Sequence, residues 1–330
     1  MQAKQNITSM DGQTLISFII PVYNVPAEML RQCIESIRRL SLRENEREII
    51  VVDDGSDNGT IEGINDLIDD ITYVRQKNMG VSAARNRALT MAAGQFIQFV
   101  DGDDYLIQSA YEHVLDLLRY NSCDMVMFDF AKDLKDNLTF EDSTPTSGSE
   151  LMRHRNIHGS VWAYIFKKSI LGSLRFTPGV AYGEDEEFTP QLLLRAESVC
   201  QTSAKAYFYR QRESSATGSN DVRRKLRRLQ ESQEVIVRLH NLAETLPTAD
   251  RLAIQRRVAQ LTMDYIYNVI IITGSRHYLD RKLQQLTRLG LFPLPDKDYT
   301  RKYSWFRIMT NSDLGLATLM KTLPLLNKER

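Results

Sequence analysis

Two acidic groups and one arginine-bearing segment of this chain have the composition and spacing to do chemistry. The first is Asp101-Gly102-Asp103-Asp104, directly after the apolar run Phe96 to Val100. Hard divalent cations take oxygen ligands and leave positions for phosphate oxygens and water, so such a cluster suits magnesium or manganese. Carboxylates one residue apart in an extended segment face opposite ways, and a bend at Gly102 would let both approach one ion. The plainer alternative is an acidic turn, since Asp and Gly dominate turns. The second group is Asp53-Asp54-Gly55-Ser56-Asp57. A carboxylate there can accept from a base N–H or a ribose hydroxyl, while Ser56 or Asp57 can cap a following helix. Gly80-Val81-Ser82-Ala83-Ala84-Arg85-Asn86-Arg87 offers a helix N-terminus and guanidinium groups to a phosphate, or is simply a solvated helix start.

The elements that position these groups follow from hydrophobic periodicity. Ile16 to Val22 reads as a buried strand, Glu48 to Val52 as a second, Thr72 to Gln76 as a weaker third, Gln95 to Val100 as a fourth and Met125 to Phe130 as a fifth. Between them, Leu30, Cys33, Ile34, Ile37 and Leu40 recur at helical spacing after Pro26, and Ile61, Ile64, Leu67 and Ile68 mark a helix from Asn58. Val81 to Ala93 is a small-residue helix closed by Gly94 as a C-terminal glycine. This alternation predicts an α/β fold with a mostly parallel sheet flanked by helices. Ligands of such sheets sit beyond the carboxyl ends of the strands, where Tyr23-Asn24, Asp53-Asp54 and Asp101 to Asp104 all fall.

Further on, 132–150 is polar and reads as a surface loop. Trp162 to Arg212 is a mixed segment with short strands around Val199 to Tyr209, and long helical periodicity takes over beyond about Asn220. The expected division is a nucleotide-binding domain over 1–218 and a helical region over 219–330.

Composition narrows the possibilities. The chain has 330 residues with Lys plus Arg and Asp plus Glu at 42 each, so a global basic field for nucleic acid is absent. Cys33, Cys123 and Cys200 show no CxxC spacing, which argues against a disulfide framework or zinc knuckle and fits a reducing cytoplasm. No secretory h-region is visible near the start, and no apolar run approaches the roughly 20 residues that span a bilayer. His154 and His158 are four apart, yet Arg153 and Arg155 beside them point to a solvated face rather than a metal site.

The ordered motifs IIPVYN, VVDDGS, NMGVSAARNRAL, FVDGDD and GEDEEF resemble those of family 2 glycosyltransferases of the GT-A fold, over roughly residues 15–215. The resemblance implies a Rossmann-like GT-A domain with a C-terminal helical extension, acting as an inverting, metal-dependent transferase on a nucleotide-sugar, UDP-linked by preference. It implies Pro21 and Tyr23 beside the base and ribose, with Asp53 and Asp54 at the nucleotide and Asp54 on the uracil ring. Arg85 would line the nucleotide, Asp103 would be the main ligand of Mn2+ or Mg2+, Asp101 would lie nearer the ribose, and Asp104 would support them. Glu184-Asp185 resembles the family's ED pair, in which the aspartate is the base that deprotonates an acceptor hydroxyl. The plainer reading of Glu184 to Glu187 is acids favouring a helix dipole, with Pro190 in or near the first turn. Tyr207 to Arg212 resembles a Tyr-Arg-x-Arg stretch whose Arg210 and Arg212 could close on the diphosphate, or serve as basic gatekeepers of an edge strand. Trp162 falls in a family pattern on the acceptor side, with Glu184 as a supporting group.

The acceptor implied is a glycan or a lipid-linked one in bacterial cell-surface polysaccharide synthesis, and the location implied is cytoplasmic. Arg301, Lys302, Tyr303, Trp305, Phe306, Arg307, Ile308 and Met309, then Leu316, Leu319, Met320 and Leu323, form a basic, aromatic amphipathic end. It could lie on the inner face of the plasma membrane or pack back as an ordinary helix. Three rival readings fit less well. A dehydrogenase needs GxGxxG after its first strand, where this chain has Pro21-Val22-Tyr23-Asn24. A nucleotidyltransferase needs a glycine-rich basic loop in the same place. A non-catalytic binding protein of the same fold would be expected to lose Asp101, Asp103 or Asp185.

Overall fold

A computed structural model describes residues 14–57, 61–133, 139–211, 221–297 and 299–327. The chain divides into two compact units, Met1–Gly148 with His158–Arg212, and Ser149–Ile157 with Glu213–Arg330.

The first unit is built on β1 (Ile16–Val22), α1 (Ala27–Arg38), β2 (Arg47–Asp53), β3 (Thr72–Arg75), α2 (Val81–Met91), β4 (Phe96–Phe99), β5 (Tyr105–Leu106), α3 (Gln108–Asn121) and β6 (Met125–Ala131). After α4 (Gly148–His154) come β7 (Tyr164–Lys167), α5 (Glu184–Leu193) and β8 (Val199–Phe208). The strands form one sheet of order β3-β2-β1-β4-β7-β6-β8-β5. Its first half, β3-β2-β1-β4, is parallel throughout, with Val22 of β1 level with Asp53 of β2. Pairing then turns antiparallel at β4–β7 and β7–β6, and β6–β8 is parallel again. The sheet is therefore mixed, and the parallel character read from the sequence holds for the half that carries the nucleotide motifs.

The core is what the apolar periodicity dictates. Ile16, Phe18, Ile20 and Val22 of β1 and Ile49 and Val51 of β2 bury against Leu30, Cys33, Ile34 and Ile37 of α1. Alternate residues of a strand share a face, and the helix presents its i, i+3, i+4, i+7 stripe to it.

Several expectations are corrected. The described part of the helix expected from Asn58 is a 3-10 helix over Glu62–Asp70, kinked at Ile64 (φ −129°). It buries Ile64 and Leu67, whereas Ile68 is exposed. The short strands expected near Val199 are one ten-residue strand. Pro190 lies in the second turn of α5 rather than the first, where it removes one helical amide and the helix continues past it. His154 and His158 do not share a helix, because α4 ends at His154. Cys123 and Cys200 form a disulfide (S–S 2.15 Å), while Cys33 is free and buried. Linear spacing hides that pairing: β6 and β8 run side by side, with Val126 level with Cys200, although 77 residues separate the two cysteines.

Gly94 is needed for a reason other than the one expected. The helix caps at Ala92, and Gly94 is absent from the positive-φ glycines. A Cβ on Gly94 would lie 2.5 Å from the backbone nitrogen of Ser17 in β1, and its own amide donates to the Ser17 hydroxyl (2.8 Å).

The second unit is helical: α6 (Val222–Glu244), α7 (Thr248–Thr273), α8 (Arg276–Arg288), α9 (Arg301–Thr310) and α10 (Asp313–Asn327). Its centre is α7, which buries Ile254, Val258, Met263, Ile266 and Val269. Buried Arg256 donates to the carbonyls of Met152 (3.0 Å) and Arg155 (2.8 Å) and to the Asn156 side chain (3.2 Å), which ties Ser149–Ile157 to these helices. Among the described residues no helix is long and apolar enough to cross a membrane.

Gly94→Ala should destabilise the protein by about 1–3 kcal/mol, because backbone on both sides must shift to admit one methyl. A urea denaturation midpoint unchanged from wild type would contradict the close approach.

Candidate active site

The parallel half of the sheet ends in three turns held side by side. After β1, Asn24 adopts a left-handed φ of 52°, which Asn tolerates. Its side chain accepts from the Asp57 amide (2.8 Å) and donates to the Asp57 carboxylate (3.0 Å), joining the first two turns. Asp53 is buried and accepts from the Ser56 amide (2.8 Å) and the Tyr73 hydroxyl (2.6 Å). Burial works against its charge, but these hydrogen bonds outweigh it and hold the carboxyl below its ordinary value. Asp53 is thus the brace of the turn. Asp54 accepts from Gln76 Nε2 (2.8 Å) and from the amides of Met79 (2.9 Å) and Gly80 (2.7 Å). The amides just ahead of α2, the helix start suited to a phosphate, are engaged by this carboxylate. Pro21 is half-buried in β1, and the Tyr23 ring beyond it is exposed.

The centre of the site is Arg85 on α2. The residue is 3% exposed, and its guanidinium lies 5.3 Å from the Phe176 ring and 5.8 Å from Phe99. One terminal nitrogen donates to Glu184 (2.9 Å) and Asp185 (2.6 Å), and the other to Asp101 (3.3 Å). A single cation therefore joins the acidic cluster after β4 to the acidic pair that opens α5. The second oxygen of Asp185 accepts from the Val161 amide (3.3 Å), which fixes the carboxylate's orientation. Behind it, Thr189 of α5 is bonded to the Tyr164 hydroxyl (2.9 Å).

Three carboxylates around one guanidinium leave an excess of negative charge, which adds to the effect of burial on Asp101 and Asp185. Burial pushes Asp101 up to about 6; Arg85 pulls it down, and Asp103 and Asp185 add to the rise. Burial likewise raises Asp185 well above the usual carboxylate range, with Arg85 opposing and Glu184 reinforcing the shift.

Asp104 has a different role from its neighbours. It is 1% exposed, and its oxygens accept from the Tyr207 hydroxyl (2.9 Å) and the Arg210 amide (2.7 Å). The same Tyr207 oxygen accepts from the Asp101 amide (3.0 Å), so one phenol ties the acidic turn to β8. Tyr207 stacks on Trp162 (centroids 4.5 Å apart), which is itself buried against Tyr209 and Phe130. Trp162 is thus a support for the turn and no open platform for an acceptor. Tyr207 stands in the Tyr207 to Arg212 stretch, but nothing in the sequence separates a buried phenol serving two aspartates from an ordinary strand tyrosine. The Arg210 side chain donates to Gln32 (2.5 Å) and lies over the Tyr105 ring (5.4 Å). Arg212 lies outside the described residues.

Gly102 allows the close fit of the acidic turn. It does not have a positive φ; a Cβ there would sit 2.7 Å from Val22 Cγ1. Among the described residues no three His, Cys, Asp or Glu side chains converge as a ready-made metal cage. The donor set nonetheless suits a hard cation. Asp101 is partly exposed and carries unbalanced negative charge, and Asp103 follows it on the same turn. Two carboxylates with phosphate oxygens and water would complete the coordination that magnesium or manganese prefers. Asp104, engaged on both oxygens, holds the turn.

Comparison with known proteins agrees with this geometry. Residues 17–172 match the sequence profile of Glycosyl transferase family 2. Over 219 residues the chain is 29% identical to the Bacillus subtilis uncharacterized glycosyltransferase EpsJ, covering 62% of this chain and 63% of that protein. Over 208 residues it is 31% identical to the Bacillus subtilis minor teichoic acid biosynthesis protein GgaB, covering 60% and 23%. The chain thus spans less than two thirds of the length of these relatives. Among solved structures, residues 1–349 of S. aureus TarS in complex with UDP-GlcNAc superimpose with a TM-score of 0.63 at 19% identity, covering 96% of this chain and 92% of that one. The first unit is a glycosyltransferase domain of the GT-A fold. Within it, residues 17–172 carry the match to Glycosyl transferase family 2.

Arg85→Met should cost about 3–5 kcal/mol, because it leaves buried carboxylates without their counter-charge. Without the guanidinium, Asp101 and Asp185 rise further above their unfolded values. Their stabilising contribution is then full below the unfolded value and is lost as pH rises through the folded one. The deficit should be smaller near pH 5 than near pH 8 in chemical denaturation, and a deficit independent of pH would contradict this electrostatic account.

Proposed function

We propose that this protein transfers a sugar, with inversion, from a nucleotide-sugar to a hydroxyl of a glycan or lipid-linked acceptor in bacterial cell-surface polysaccharide synthesis. The observation that carries the reading is the placement of Asp185. Its carboxylate is oriented by the Val161 amide and joined through Arg85 to Asp101, so a proton acceptor and the acidic turn share one buried cation.

Asp185 takes the proton from the attacking hydroxyl, and its raised pKa brings it closer to the pH at which a base works best. Attack from Asp185's side, opposite the leaving diphosphate, inverts the anomeric centre. Asp103 and Asp101 would hold Mn2+ or Mg2+, whose chemistry when bound is to neutralise charge on the departing diphosphate. Exposed Tyr23, with Pro21 and the turn braced by Asp53 and Asp54, forms the floor for base and ribose. Arg210, whose amide is bonded to Asp104 of the acidic turn, would supply a guanidinium to the diphosphate. A UDP-linked donor is favoured by the family motifs and by a fold neighbour solved with UDP-GlcNAc. Similarity to a teichoic acid biosynthesis protein favours a cell-surface glycan as product.

The non-catalytic alternative is disfavoured because a protein that only binds nucleotide-sugars has no use for a buried, oriented Asp185. Turnover of a panel of UDP- and GDP-sugars, with and without manganese, tests the class; no nucleotide release and no calorimetric nucleotide binding would refute it. Within the working enzyme, Asp185→Asn should lower kcat by about a hundredfold or more while donor binding stays near wild type. An unchanged kcat would remove Asp185 as the base.

Activity should also report the charge around that base. The acid limb of the kcat/KM profile should lie above the ordinary carboxylate range, since Asp185 must be deprotonated to act. Glu184→Gln removes a neighbouring negative charge that raises Asp185, so the limb should move to lower pH. A limb that moves to higher pH would contradict this.

A further inference from the structure

The end of the second unit presents a surface that the transfer reaction does not use. α9 is fixed to α7 by the Tyr303 hydroxyl, which lies 2.9 Å from both Asp264 oxygens, and by the Phe306 ring against Tyr267 (6.4 Å). α10 buries Leu316 and Leu319. Both helices thus have an inner face that is satisfied. Their outer faces leave Trp305 at 61%, Ile308 at 58%, Leu314 at 82% and Leu325 at 64% exposure. Trp305 and Ile308 are one turn apart on α9, and Leu314, Lys321 and Leu325 recur on one stripe of α10.

The charge on this stretch is one-sided. Between residues 300 and 326 the sequence holds Arg301, Lys302, Arg307 and Lys321 against Asp313 alone. Arg307 is taken by Asp296 (2.9 Å), and Asp313 lies near Arg276 (3.6 Å). Arg301, Lys302 and Lys321 all stand exposed beside the apolar side chains.

We propose that the outer face of α9 and α10 docks onto an anionic lipid bilayer, with Trp305, Ile308 and Leu314 entering the headgroup boundary and Arg301, Lys302 and Lys321 meeting lipid phosphates. An interfacial helix needs this combination of an apolar face, an aromatic anchor and flanking cations. A second copy of the chain is the weaker occupant, because symmetric pairing of this face would set its lysines and arginine against their own images. The bilayer offers the complementary charge. No described helix is long and apolar enough to cross it, so the contact is with its surface. The surface stands on its own residues and does not depend on the transfer reaction.

The full chain itself supplies the reporter. It contains two tryptophans, of which Trp162 is buried, so a change in emission on adding vesicles reports Trp305. With mixed phosphatidylcholine–phosphatidylglycerol vesicles, the emission should shift to the blue and the protein should sediment with lipid. Both effects should fall as salt is raised and should be weak with phosphatidylcholine alone. Arg301→Glu with Lys302→Glu should weaken partitioning by about tenfold or more, and Ile308→Ser with Leu314→Ser should weaken it while leaving the far-UV spectrum unchanged. Nucleotide release from the donor, assayed without lipid, should be the same in all these variants, which separates this surface from the active site. No blue shift with the anionic vesicles, or binding insensitive to both salt and charge reversal, would overturn the proposal. So would a concentration-dependent dimer that Ile308→Ser abolishes.

Discussion

The site depends on one buried cation. Arg85 lies against the rings of Phe99 and Phe176 and donates to Asp101, Glu184 and Asp185. A guanidinium suits this position because its planar fork keeps its charge and can serve several carboxylates at fixed angles. The aromatic shelf lowers the cost of burying it and limits where it can go. Remove the cation and the acidic groups repel one another without a counter-charge. The acidic turn after β4 and the start of α5 are 80 or more residues apart in sequence, and this contact makes them one site.

The rest of the first unit supports that contact from both sides. On one side, Tyr207 holds the acidic turn through Asp104 and the Asp101 amide, and Trp162 stacks behind it. On the other, the Val161 amide and the Thr189–Tyr164 hydrogen bond fix α5. The strands contribute register: the parallel pairing of β1 with β2 and β4 brings their carboxyl ends to one edge, where loop residues can meet.

Much of this was legible in the sequence. Short β-branched runs separated by amphipathic stretches fixed the parallel half of the sheet, and position after a strand singled out Asp53-Asp54 and Asp101 to Asp104. Roles within the clusters were less legible, because they depend on long-range partners. Asp53 and Asp104 look like their neighbours in the sequence, yet each is consumed by hydrogen bonds from residues 20 and 103 positions away. Gly94 read as a helix-ending glycine and Gly102 as a bend, but a Cβ on the first would meet the Ser17 backbone and one on the second the Val22 side chain. Cys123 and Cys200 looked unrelated because strand adjacency, which no linear spacing records, sets their distance. The antiparallel half of the sheet was hidden for the same reason: β7 inserts between β4 and β6 although it follows both in the chain.

The direct test of the central contact is a double-mutant cycle on stability between Asp101→Asn and Asp185→Asn. Both carboxylates share Arg85, so the two changes should be non-additive by about 0.5–3 kcal/mol. Additivity to within about 0.5 kcal/mol would mean that Arg85 does not join the two acidic groups, and would contradict the account.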